Sequence, residues 1–232
     1  MTCDGMENML KYPKEVNVMK DIPMFTTEFG VASLVLKEVP YRQEAYIRVR
    51  DVQPGQLCEL LGECISFCRM VGADRVYATG HDELENSAYY GSVIQMRGEI
   101  QVDGSLVENL FPVTEQTVSG WREICNERLR DVDFAATLTA ADESMILSSG
   151  GAYFVHRQGE LLGAGWLEDG KLLLLCAVLP GAGERVMHTL LSLTDGAPLE
   201  LEVASTNLRA IRLYERLGLI RTKEITKWYK IF

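Results

Sequence analysis

The 232-residue chain is short of positive charge, with 23 Lys+Arg against 33 Asp+Glu and a formal net charge of −10. Without a cationic excess it has no obvious surface for neutralising the phosphates of a nucleic acid or for meeting an anionic membrane. A small phosphate ligand remains compatible, because the amides at a helix N-terminus bind phosphate without any net charge. Long hydrophobic runs are also missing. The longest, Leu172 to Leu179, falls well short of the ~20 residues that span a bilayer. The opening segment from Met1 to Asn8 has neither the basic nor the apolar region of an export signal. The expectation is a cytoplasmic protein with no nucleic-acid or membrane partner. Cysteine is sparse: Cys3, Cys58, Cys64, Cys68, Cys125 and Cys176 are too few for a disulfide scaffold and fit reduced thiols in a core. Cys64 and Cys68 share one face of a predicted helix, yet no histidine or second cysteine pair lies at metal-finger spacing. Free cysteine is among the most buried residue types, so no metal is expected.

What is present is an ordinary globular composition, 47% hydrophobic and 24% charged, which excludes global disorder. Two stretches share one plan. In the first, Val31 to Val39 predicts a strand, Pro40 to Gln43 a turn and Glu44 to Val49 a returning strand. Leu57, Leu60, Leu61, Cys64, Ile65 and Cys68 then recur at helical spacing up to Gly72, and Arg75 to Thr79 predicts another strand. The second stretch holds strand, strand, helix, strand again, with one further strand ahead of it. Its strands run from Ala152 to His156, from Leu161 to Leu167, and from Leu172 to Val178, the last apolar enough to be buried on both faces. A helix carrying Val186, Met187, Leu190, Leu191 and Leu193 comes next and ends at Asp195 to Pro198. A strand from Leu199 to Val203, a helix from Asn207 to Leu217 stopped by Gly218, and a strand from Lys227 to Phe232 complete the chain. Trp121 to Leu129 predicts a helix opening the second stretch. The fold class is therefore α/β, a mixed central sheet flanked by helices. The polar Gln101 to Ser105 segment sets a boundary between units 1–105 and 106–232, and neither half is basic.

The segment from Leu199 to Leu219 holds Asn207, Ala210, Tyr214, Glu215 and Gly218 in an Asn-x-x-Ala-x-x-x-Tyr-Glu-x-x-Gly pattern. That pattern, coming after a strand, resembles the closing motif of the GCN5-related N-acetyltransferase (GNAT) superfamily, with Leu219 in place of the usual Phe. The resemblance covers residues 108–232, and the first unit looks like an incomplete copy. It implies a GNAT fold with two units in tandem and acetyl transfer from acetyl-CoA to the primary amine of a small molecule or peptide. Tyr214 would be the general acid for the departing thiolate, and Asn207 a positioning group. A tyrosine of ordinary pKa near 10 suits a thiolate that takes a proton at roughly 8.5. The bland reading of the same helix makes Tyr214 a half-buried packing residue and Asn207 an N-cap.

The backbone of Ala177 and Val178 would grip the pantetheine. The turn holding Gly181, Gly183, Arg185 and Val186 would cradle the pyrophosphate. The family's glycine-rich signature is degraded there: Val186 and His188 stand where it has glycine or alanine, and Glu184 opposes an anion. The first unit has only Gly55, beside Asp51 and Pro54, in the equivalent turn, and is read as structural or substrate-shaping. No acid occurs in the strand from Leu172 to Val178, so a general base is not evident. Glu168 and Asp169 fall in a predicted turn, and His156 reads as packing. Arg209, Arg212 and Arg216 form a stripe that either meets the 3′-phosphate end of the cofactor or is simply solvated. Trp166, Tyr89 and Tyr90 are candidates for an acceptor pocket or for core. Two functions stay open: an N-acetyltransferase, and a non-catalytic GNAT-fold binding or scaffolding protein.

Overall fold

The computed structural model describes residues 20–194 and 196–232. Cys3, the opening segment and Asp195 lie outside them. The elements in chain order are β1 (Ile22–Thr26), β2 (Gly30–Val35), α1 (Val39–Arg42), β3 (Glu44–Val52), α2 (Leu57–Met70), β4 (Arg75–Thr79), β5 (Ala88–Gly98), β6 (Asn109–Pro112), α3 (Val118–Leu129), α4 (Glu143–Ser149), β7 (Ala152–Arg157), β8 (Glu160–Glu168), β9 (Lys171–Ala177), α5 (Gly183–Leu191), β10 (Leu199–Ala204), α6 (Leu208–Arg216) and β11 (Ile220–Lys230). All the strands join one mixed sheet, ordered β1-β2-β3-β4-β11-β5-β10-β9-β8-β7-β6.

The parallel pairs are β3 with β4 and β9 with β10, each joined through a crossover helix. Helix α2 buries Leu57, Leu60, Leu61, Cys64 and Cys68 against β2 and β3, and these residues anchor a core with Leu34, Ile47 and Val76. In the second half, α5 buries Val186, Met187, Leu190 and Leu191 over β8 and β9. On the opposite face α3 and α4 pack Trp121, Cys125 and Ile146 against Ala152, Ala164 and Trp166. Cys125 and Cys176 meet there with Sγ atoms 4.0 Å apart, and burial holds the Cys125 thiol protonated.

The last strand of each half pairs mainly with the other half. Strand β11 lies between β4 and β5, and β5 lies between β11 and β10. Their backbone groups are satisfied at the centre of the sheet, while most β11 side chains remain exposed. Sequence periodicity missed β5 and began β11 seven residues late, because neither strand alternates apolar with polar residues as a half-buried strand does.

Three further expectations are corrected. Strand β2 ends at Val35, and Val39–Arg42 forms a helical turn that accepts Pro40 in its first turn, where a missing N–H does no harm. Helix α5 stops at Leu191, leaving Leu193 45% exposed. Strand β9 is not buried on both faces: Leu173 is 50% exposed, because one edge of this strand borders a gap.

Candidate functional site

Strands β9 and β10 are paired only at Lys171↔Glu200 and Leu172↔Leu201, although β9 continues to Ala177 and β10 to Ala204. Beyond Leu172 and Leu201 the two parallel strands part, and the opening leaves a slot in the sheet. Helix α6 borders it. Asn207 caps this helix, its Oδ1 accepting the Ala210 N–H at 3.1 Å. Tyr214 stands seven residues later, two turns along on nearly the same face. Gly218, at φ +102°, ends the helix with a left-handed residue, a conformation that costs glycine little.

Two grooves meet at this slot. The first has a volume of about 430 Å³ and runs past Leu175 to Gly181, Gly183 and Glu184 to Asn207, Arg209, Ala210, Leu213, Tyr214 and Arg216, with Arg128 and Leu129 of α3 at its side. The second, about 390 Å³, opens over Leu172 to Leu175 and Leu201 to Ala204, with Trp166 and the segment from Val132 to Ala136 as walls. Asn207 and Tyr214 line both. Tyr214 is 7% exposed, and its hydroxyl has no hydrogen-bond partner among the described residues. Burial pushes its pKa up to about 12, above the ordinary value near 10 expected from the sequence, so it stays protonated at physiological pH but is a weaker acid than a free tyrosine.

Of the residues singled out from sequence, Ala177, Val178, Gly181, Gly183, Asn207 and Tyr214 line the first groove, and Arg185 and Val186 do not. The Arg185 guanidinium turns to Glu108, 2.8 Å away. Val186 is fully buried and packs on Gly163, where a Cβ would lie 2.7 Å from Val186 Cγ2 and would clash with the Cys176 carbonyl. His188 is buried too, its Nδ1 accepting the Asp103 N–H at 3.2 Å. The two residues that replace the family's small ones therefore point into the core. The amides of Gly183, Glu184 and Arg185 have no backbone acceptor among the described residues, the first intrahelical bond being Val186 N–H to the Ala182 carbonyl. The Val178 N–H is committed to the Leu162 carbonyl at 2.8 Å. Of the arginine stripe, Arg209 and Arg216 line the groove and Arg212 does not. Arg216 lies 3.8 Å from Glu184.

No family model matches the chain, and no curated protein matches it. Solved structures do match. A GCN5-related N-acetyltransferase from Kribbella flavida superposes with a TM-score of 0.54 at 15% identity, covering 89% of this chain and 89% of that one. One from Anabaena variabilis gives 0.56 at 11% identity, covering 86% and 59%, and one from Sphaerobacter thermophilus gives 0.51 at 14%, covering 87% and 76%. The chain has the GNAT fold.

In this GNAT fold the first half of the chain builds part of the second groove. Arg42 donates to the Val132 and Leu129 carbonyls at 2.8 and 2.9 Å. Glu38, 4% exposed, accepts the Thr137 N–H at 2.9 Å and the Thr137 hydroxyl at 2.6 Å, and Arg42 Nε lies 3.6 Å from it. The segment pinned this way carries Asp133, which accepts from the Tyr90 hydroxyl at 2.5 Å, and Phe134, which holds φ +60°. Phe134 packs among Tyr46, Tyr90 and Trp228. Burial and hydrogen bonding to Asp133 push the Tyr90 pKa upward, so it remains a donor. Trp166 lines the second groove, and its Nε1 is without a partner among the described residues. Tyr89 is 55% exposed and packs on Tyr229, outside both grooves. His156 packs with Phe111 and Phe154, also outside them.

Sequence reasoning missed Arg128, Asp133, Phe134 and Glu202. None sits in a motif, and three of them reach the slot only because distant elements fold over it. Glu202 alone had a signal, as an acid in the strand directly before Asn207. No group of three or more His, Cys, Asp or Glu side chains among the described residues is arranged to hold a metal ion. No helix among them is long and apolar enough to cross a membrane.

Proposed function

We propose that the protein is an N-acetyltransferase that moves an acetyl group from acetyl-CoA to a primary amine, with both substrates bound together. The observation that carries this reading is the meeting of two grooves of opposite character at Asn207 and Tyr214. The first offers Arg128, Arg209 and Arg216 against the single acid Glu184, which suits an anionic substrate. The second has Asp133 and Glu202 and no cation in its lining, which suits an amine.

The free amides of Gly183, Glu184 and Arg185 at the α5 N-terminus would receive the pyrophosphate. Gly181 leaves the approach open, since no atom lies within 4 Å of where its Cβ would stand. Arg185 contributes its amide and not its side chain, and Val186, with its N–H bonded to the Ala182 carbonyl and its side chain buried, contributes neither. Ala177 and the Val178 carbonyl border the path of the pantetheine. With the two substrates side by side, the neutral amine attacks the thioester carbonyl, the C–N bond forms and the C–S bond breaks. The departing thiolate takes the Tyr214 proton, solvent reprotonates the resulting phenolate, and the amide nitrogen gives up its surplus proton to water. Holding both substrates at one point supplies much of the acceleration by proximity. We read residues 1–105 and 106–232 as two units, of which the second holds the reaction and the first shapes its acceptor side.

The competing reading, a non-catalytic binding protein, is favoured by one feature, the Glu184 carboxylate at the helix end where the phosphates would sit. Titration with acetyl-CoA by calorimetry, with thermal shift alongside, separates the two. The transferase reading expects saturable binding and a raised Tm, since a ligand that binds only the folded state must stabilise it. Absence of both at ligand concentrations far above micromolar overturns it.

A further inference from the structure

We infer that Cys176 is a site of oxidation by peroxides, and that Cys125 resolves the oxidised sulfur as a disulfide that joins α3 to β9 and narrows the first groove. The effect on the groove rests on the transferase reading, and the formation of the bond does not. The two sulfurs already stand 4.0 Å apart, Cys125 on α3 and Cys176 at the penultimate position of β9. A disulfide holds its sulfurs about 2.0 Å apart, so the distance to close is about the same again. Trp121, Ile146, Ala164 and Trp166 surround the pair, so a second protein thiol has no approach to compete with Cys125.

Buried thiols are ordinarily inert, and Cys64 and Cys68 fit that rule, burial pushing them up to about 12 and about 11. Cys176 differs. A hydrogen bond from Cys125, the Ala164 backbone N–H and the Arg128 guanidinium favour its thiolate and hold its pKa below the ordinary cysteine value. Cys125 is 0% exposed and keeps its proton. A thiolate beside a protonated partner is the pairing of a peroxide-sensitive cysteine with its resolving cysteine. Cys176 also borders the first groove, which admits a molecule as small as hydrogen peroxide.

The chemistry runs in two steps. The Cys176 sulfur attacks one peroxide oxygen, the S–O bond forms, the O–O bond breaks, and the departing hydroxide takes a proton to become water. The Cys125 sulfur then attacks the sulfenic sulfur, the S–S bond forms, and the hydroxyl leaves as water with the Cys125 proton. Two thiols are oxidised and one peroxide is reduced to two waters. Arg128 and Leu129 follow Cys125 by one turn of α3, and both line the groove together with Leu175 to Gly181. Drawing Cys125 toward β9 carries that turn toward the strand and closes part of the groove.

The test treats the full-length protein with hydrogen peroxide, blocks the remaining thiols with iodoacetamide and maps tryptic peptides by mass. The expected product is a link between peptides 123–128 and 172–185 that dithiothreitol reverses. Acetyl-CoA affinity by calorimetry is expected to fall at least about fivefold in the oxidised protein and to return on reduction. In Cys125→Ser the link is absent, and peroxide is expected to leave the affinity within about twofold. Oxidation of the exposed Cys58 with no link between the two peptides overturns the inference, as does Cys176 carried to sulfinic acid with Cys125 still reduced. A link with unchanged affinity overturns the narrowing of the groove, and so does an equal loss of affinity in Cys125→Ser. If the reduced protein fails to bind acetyl-CoA, the transferase reading falls, and the peptide link alone decides the disulfide.

Discussion

In the β3–α2–β4 crossover the parallel strands stay paired from Glu44↔Arg75 to Arg48↔Thr79, the whole length of β4. In β9–α5–β10 they part after Leu172↔Leu201. The two crossovers are alike in element order and differ in the segment that leaves their second strand. After β10 the chain enters α6, whose Tyr214 lines the opening from both sides. After β4 it passes Gly80 into a short helical turn at Asp82–Asn86, and among the described residues no α-helix follows directly to border the strand ends. A strand–helix–strand unit is therefore not enough to make a site. The slot needs unpaired strand edges and a helix beside them to supply side chains, and only the second half has both. The first half, relieved of that role, turns Glu38 and Arg42 outward to fix the wall of its neighbour's groove.

The sharpest way to break this contrast is to remove the one hydroxyl at the slot. Tyr214→Phe is expected to lower kcat by about a hundredfold or more with acetyl-CoA affinity within about twofold by calorimetry. Unchanged turnover would leave the second half no more catalytic than the first.

The coupling between halves is tested next. Glu38→Ala strands the buried Thr137 N–H and hydroxyl and removes the carboxylate beside the Arg42 guanidinium, and is expected to cost about 3 kcal/mol in urea unfolding. A loss below about 1 kcal/mol would mean the clamp contributes little.

Alkaline pH titrates buried acids in both halves, since burial also raises Cys125 in the second and Tyr46, Tyr77 and Tyr90 in the first. Burial raises Cys64 to about 12 and Cys68 to about 11 in the first half, from 9.0, and Tyr214 to about 12 in the second, from 10.0. Each folded-state pKa is raised, so the stabilisation is complete below the unfolded value and is lost as pH rises through the folded one. The decline should begin near pH 9 with the thiols, and the tyrosine adds to it between about pH 10 and 12. In Tyr214→Phe the fall across that second interval should be smaller by about 2–3 kcal/mol. Equal pH curves for the two proteins would show that the phenol is not buried from water as described.

The smallest effect is expected at the rim of the first groove. Arg128→Ala should weaken acetyl-CoA binding about threefold to fivefold and flatten its salt dependence. An unchanged affinity would remove α3 from the anion-binding side.

Much of this architecture was legible in the sequence, and the reason is local. Helices α2, α5 and α6 announce themselves by apolar residues on one face, α2 and α6 also by Gly72 and Gly218 at their ends, and the Asn207–Tyr214 spacing is set by helical geometry alone. The substitutions at Val186 and His188 look damaging to a phosphate loop in one dimension. In three dimensions both side chains point into the core, Val186 over Gly163, and the helix amides stay free. Spacing cannot distinguish these cases, because the direction of a side chain at a helix start depends on what the helix packs against.

The sequence by itself determined the α/β class, the repeated strand–strand–helix–strand order and the Asn207–Tyr214 face, since each arises from short-range periodicity and turn chemistry. Only the tertiary structure decided that β5 and β11 pair mainly with the opposite half, that β9 and β10 part while β3 and β4 do not, and that Asp133, Phe134 and Arg128 reach the slot. Those features depend on backbone edges and on contacts between residues tens of positions apart, and neither leaves a period in the chain.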